Sequence, residues 1–135
     1  MKKLITVVAI LVFGLQTFAQ STETGYVTVT WTEVEPCCIG MKYYVCITVM
    51  RVSDRVVVQE NLCETINLGN DQYTFEFEFP CSYSSEEFQV FATVRAGCDS
   101  TPPVLCHFGK NPGTPLTDCE ELMSGDFTIV GDYEN

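Results

Sequence analysis

Apolar and polar positions alternate through most of this chain with a period of two. Residues 26–34 set Val27, Val29 and Trp31 on one face and Thr28, Thr30 and Thr32 on the other, the signature of a strand with one buried side. Residues 41–52 set Tyr43, Val45, Ile47 and Val49 on one face. Ser53-Asp54 then supplies a turn and Arg55 to Leu62 returns, so the two segments predict a hairpin. Residues 63–72 predict a polar loop that turns at Gly69-Asn70-Asp71. The cleanest alternation is at 73–79, where Tyr73, Phe75, Phe77 and Phe79 oppose Thr74, Glu76 and Glu78. Phe88 to Arg95 predicts another strand, with Phe88, Val90, Ala92 and Val94 inward, and Asp126 to Tyr133 a last one, with Phe127 and Ile129 to bury. Between them, residues 99–125 carry Pro102, Pro103, Pro112, Pro115, Gly109, Gly113 and Gly125. That stretch predicts loop, pinned at 98–119 by cysteines rather than by a core. Strands with one apolar face each predict an all-β fold of two packed antiparallel sheets. A single sheet would leave Phe75, Phe77 and Phe79 wet, forfeiting several kcal/mol at roughly 25 cal/mol per Å².

The first residues change the picture of where such a domain works. Lys2 and Lys3 precede an apolar run from Leu4 to Leu15, and Thr17-Phe18-Ala19 places small residues before a cut at Gln20. This resembles a bacterial export signal spanning 1–19, too short to anchor in a membrane. The remaining 116 of the 135 residues predict a single domain over 20–135, secreted or periplasmic, with no membrane insertion. Loss of Lys2 and Lys3 takes the formal charge from −11 to −13. So acidic a surface disfavours nucleic acid and anionic membranes and favours a cationic partner.

All eight cysteines, at 37, 38, 46, 63, 81, 98, 106 and 119, fall after the export signal. An even count in an exported chain predicts four disulfides. Zinc sites use cysteine pairs separated by two to four residues, and no two of these cysteines have that spacing, so no metal is expected. If the hairpin turns at Ser53-Asp54, Cys46 lies opposite about residue 61, which pairs it with Cys63. Adjacent Cys37 and Cys38 are expected to bond elsewhere rather than to each other.

Trp31 within V-T-V-T-W-T, Y-Y-V-C-I at 43–47, Y-T-F-E-F-E-F at 73–79 and F-Q-V-F-A at 88–92 together resemble a fibronectin type III domain over about residues 25–100. The resemblance implies an immunoglobulin- or fibronectin-like sandwich and a binding or spacer module without catalytic residues. It also implies that the loops after the first strand and after Arg95 share one end of the sandwich, bringing Cys37 and Cys38 near Cys98 and Cys106. Elimination then leaves Cys81 with Cys119. The chain departs from the family where Phe88 replaces a tyrosine whose hydroxyl bonds back to the chain, so that hydrogen bond is either absent or supplied by Tyr83. It departs again before Gly25, where a first strand would need apolar residues, and in the cysteines and the tail.

Candidate chemistry is sparse. The one histidine, His107, sits beside Cys106 in the expected loop, and the carboxylate pairs Glu86-Glu87 and Glu120-Glu121 are sequence neighbours rather than two groups facing across a cleft. Neither the turn at Asn67–Asp71 nor the Gly131–Asn135 terminus has calcium-loop spacing. The expectation is therefore a non-catalytic protein-binding module that needs no cofactor and takes a protein or glycan partner. Two alternatives stand beside it: a structural or accessory subunit of a surface assembly or filament, self-assembly included, and a small disulfide-rich inhibitor or effector. Partner contact is expected from Val104, Leu105, Phe108 and Leu116, apolar residues of the pinned loop on an acidic body. The competing expectation is that Leu105, Phe108 and Leu116 pack beneath the loop as a small secondary core.

Overall fold

A computed structural model describes residues 21–82, 85–99, 104–110 and 115–134; residues 1–20, where the export signal is expected, lie outside them. Eight strands and one short helix follow in the order β1(Thr22–Trp31), β2(Lys42–Arg51), β3(Val57–Asn67), β4(Gln72–Pro80), β5(Glu87–Cys98), β6(Val104–Lys110), β7(Leu116–Asp118), α1(Cys119–Ser124) and β8(Thr128–Glu134). They form an all-β sandwich stapled by disulfides. The smaller layer is β4-β1-β8 and the larger is β3-β2-β5-β6, with β7 beside the start of β5.

The alternating faces become the core. Val27, Val29 and Trp31 of β1, Phe75, Phe77 and Phe79 of β4 and Ile129 of β8 are buried, as are Tyr43, Val45, Ile47 and Val49 of β2 and Phe88, Val90, Ala92 and Val94 of β5. Phe79 and Phe88 meet edge to face, with ring centroids 5.3 Å apart, a favoured aromatic arrangement. Phe88 is thus a pure packing residue at the place where the family resemblance implies a tyrosine. Tyr83, the expected alternative source of that hydrogen bond, lies outside the described residues.

Three expectations are corrected. Residues 63–67, expected in a loop, continue β3 opposite Lys42–Cys46. They look polar because β3 is an edge strand, whose residues need not alternate buried and wet; the turn then falls at Gly69, with φ +92°. The expected loop over 98–119 contains β6, paired with β5, and β7, paired with the first residues of β5. Its prolines flank these strands rather than interrupt them, and strand pairing overrides weak local propensity. Finally, the smaller layer is not wholly antiparallel, because β8 lies parallel to β1 over Thr28–Trp31.

β8 serves both layers. Thr128–Gly131 pair with β1, and Asp132–Glu134 pair with β6. The crossing is at Gly131, which is buried, and a Cβ there would stand 2.5 Å from Val94 Cγ2 of the opposite layer. Only glycine lets the backbone come this close.

Candidate functional site

The hairpin places the first cystine. Pairing runs straight from the turn until two register shifts between Ile47 and Met50, beside Asn61 at φ +48°. Each bulge inserts one residue into β3. The partner of Cys46 therefore moves from the expected position near 61 to Cys63, to which it is bonded. Cys81 bonds Cys119, tying the end of β4 to the start of α1. Cys37 bonds Cys106 and Cys38 bonds Cys98, so the segment between β1 and β2 is held at one end of the larger layer. The four sulfurs of this last group lie within 4.8 Å of one another, a cluster that linear spacing did not foreshadow.

Beside that cluster, the outer face of the larger layer carries a groove of about 590 Å³, lined by Tyr44, Cys46, Cys63, Arg95, Gly97, Cys98, Asp99 and Leu105. Register explains the grouping: Tyr44 stands opposite Arg95, Gly97 opposite Leu105 and Cys46 opposite Cys63. The Cys46–Cys63 cystine occupies one end. At the other, the Tyr44 hydroxyl donates to Asp99 Oδ1 at 2.6 Å, and Lys42 Nζ lies 3.9 Å from Asp99 Oδ2. The hydrogen bond to Asp99 pushes the Tyr44 hydroxyl above its ordinary pKa, with partial burial and the Asp99 charge acting the same way. The groove thus offers an apolar wall and sulfur-lined floor with a polar end, suited to an apolar side chain whose backbone or neighbour hydrogen-bonds at Tyr44 and Asp99.

Of the expected contact residues, Leu105 is 57% exposed and lines the groove, and Leu116 is 53% exposed. Neither packs beneath a loop, so the secondary-core expectation fails for both. Leu116 pairs with Gln89, eight residues along β5 from Gly97, the partner of Leu105. At about 3.3 Å per residue that is roughly 26 Å, so the two leucines share a face without forming one patch, with exposed Phe91 between them. Val104 and Phe108 hold backbone positions in β6, and their side chains lie outside the described residues. His107 sits in β6 opposite Ala96, half-buried, rather than in a loop.

The carboxylate pairs are also placed. Glu86 Oε2 accepts from the Ser82 amide and hydroxyl at 3.1 and 3.0 Å, and its Oε1 lies 3.6 Å from Arg51 Nη1. Glu121 Oε2 accepts from the buried Thr117 hydroxyl at 2.9 Å. These groups tie the end of β2 to the β4–β5 connection and β7 to the first turn of α1. Sequence reasoning missed Tyr44 and Arg95, whose outward positions on β2 and β5 were legible, and Asp99, just past the end of β5; their juxtaposition needed the β2–β5 pairing.

No protein-family model matches this chain, and no curated protein matches it. Among solved structures, the chain is similar to an alternative pilotin from the type II secretion system of Vibrio cholerae. The TM-score is 0.51 and the identity 13%, covering 85% of this chain and 99% of that one. At that identity the likeness is one of fold. Four disulfides are compatible with a place outside the cytoplasm, and no helix among the described residues is long and apolar enough to cross a membrane.

Proposed function

We propose that this protein is a secreted or periplasmic protein-binding module that acts by contact and not by turnover. The observation that carries the reading is Leu105, more than half exposed on a paired strand, at the wall of a groove bounded by cystines. A strand-borne site between disulfides loses little conformational freedom on docking, which favours affinity. The acidic body steers a cationic partner towards it. The fibronectin type III resemblance supports the same reading, because it implies a module that binds or spaces. A second reading, an accessory subunit of a surface assembly, is favoured by the likeness to a pilotin of a secretion system.

The test is Leu105→Ser. The immobilised variant loses a partner that the parent retains from an extracytoplasmic extract of the native host, while its melting temperature stays within about 2 °C, as for other surface substitutions. Undiminished capture, or a large loss of stability, overturns the assignment of this face. Size measurement of the purified protein separates the two readings, since an assembly subunit self-associates.

A further inference from the structure

The group of four sulfurs at Cys37, Cys38, Cys98 and Cys106 holds more than two independent staples. Cys98 is bonded to Cys38, yet its Sγ lies 3.7 Å from that of Cys37 and 3.8 Å from that of Cys106. Accessibility is graded across the group: Cys37 is exposed, Cys38 and Cys106 are half-buried and Cys98 is buried. Within the group, a thiol in solution therefore meets the Cys37–Cys106 bond first, at its outer sulfur. The two bonds span sequence separations of 69 and 60, whereas Cys98 and Cys106 belong to adjacent paired strands.

We propose that this group is a thiol–disulfide relay in which a single dithiol equivalent releases both tethers of the 32–41 segment. The thiolate of an external dithiol attacks Sγ of Cys37, the Cys37–Cys106 bond breaks, and Cys106 leaves as a thiolate. That thiolate attacks Sγ of Cys98, forming a Cys98–Cys106 bond and expelling Cys38. The second sulfur of the dithiol closes on the sulfur attached to Cys37 and frees it. One dithiol is oxidised to its disulfide, Cys37 and Cys38 are reduced, and the two protons lost by the dithiol appear on them. The exchange has a direction. Pairing of β5 with β6 keeps Cys98 and Cys106 together at no added entropic cost, whereas keeping Cys38 in place demands an ordered 32–41 segment. Cys98 lines the groove, so the relay couples the redox state of the surroundings to the end of the docking site. This inference stands on the sulfur geometry and does not depend on the docking reading.

The peptide chemistry makes it testable. Trypsin cuts after Lys42, Arg95 and Lys110, so Cys37 and Cys38 fall in one peptide while Cys98 and Cys106 share the peptide 96–110. The folded protein is treated with one equivalent of dithiothreitol, trapped with N-ethylmaleimide and digested without reduction. The relay yields peptide 96–110 closed by an internal disulfide and, separate from it, a peptide labelled at both Cys37 and Cys38. Two peptides still joined by one bond, each with a single label, overturn the proposal. A second arm needs no reductant. In Cys37→Ser, checked for folding by the fluorescence of Trp31, the label falls on Cys38 in the greater share of molecules, with peptide 96–110 internally closed. Label confined to Cys106 overturns the relay.

Discussion

Arg51 and Asp54 show how much of this fold is decided by single side chains. The guanidinium grips Asp54 through Nε at 3.0 Å and Nη2 at 2.7 Å, while Asp54 Oδ1 also accepts the Val56 amide at 3.2 Å. The two-point contact closes the β2–β3 turn, and its hydrogen bond to Arg51 is the chief reason the Asp54 carboxyl is held below its ordinary pKa. A lowered folded-state pKa contributes stability above the unfolded value and loses it as pH falls through the folded one. Asp54→Asn therefore lowers the melting temperature at pH 7, and the gap from the parent closes as pH drops below about 4, the ordinary carboxylate range. Melting curves across that range check it, and a gap constant with pH would show that the turn is held by shape alone. Gly131 makes the opposite point, since its contribution is the absence of a side chain. Gly131→Ala sets a methyl against Val94 Cγ2 and costs about 1–3 kcal/mol, the range for overpacked interiors. Denaturant unfolding with an unchanged midpoint would mean that Val94 gives way freely.

Among the elements, α1 has only six residues and stands because its ends are fixed. Asp118 caps it by accepting the Glu121 amide at 2.9 Å, Glu120 and Glu121 complement its first turn, and Gly125 closes it at φ +82°. Buried Cys119 and Leu122 dock it on the core, and the bond to Cys81 holds it there. Asp118→Ala is expected to cost about 1 kcal/mol, read as a fall in denaturant midpoint without change in the disulfide map. The strands were legible wherever one face is buried: β1, β2, β4 and β5 all announce themselves by alternation. β6 and β7 did not, because both are short and flanked by prolines and glycines, and what makes them strands is the free edge of β5 rather than their own sequence.

At the scale of the whole molecule, β8 joins the two layers. It adds to β1 on one side and to β6 on the other, so the C-terminal segment completes a sheet begun near residue 22. β8 lies beside β1 on the side away from β4, running parallel to it over Thr28–Trp31. A chain ending at Asp126 exposes that edge and uncovers the core around Ile129, which is 2% exposed in the full chain. Such a chain is expected to lose cooperative unfolding, followed through Trp31, the one tryptophan, which is buried at the end of β1. A sharp transition near that of the parent would show that the remaining strands and four cystines suffice without β8.

Features that depend on neighbours along the chain could be read from the order of residues alone. Alternation assigned the buried faces of β1, β2, β4 and β5, the phenylalanines of β4 demanded a second layer, and the even cysteine count called for four bonds. The same information placed the β2–β3 hairpin but missed its register by two residues, because bulges answer to packing on both sides of a strand and leave no local mark. Strand pairing in three dimensions, by contrast, brings four cysteines into one group, takes β8 between the layers at Gly131, and sets Tyr44, Arg95, Asp99 and Leu105 around one groove. Each of these joins residues far apart in sequence. Their proximity is set by the order in which strands pair, a choice made by the burial of the whole core and not by the composition of any one segment.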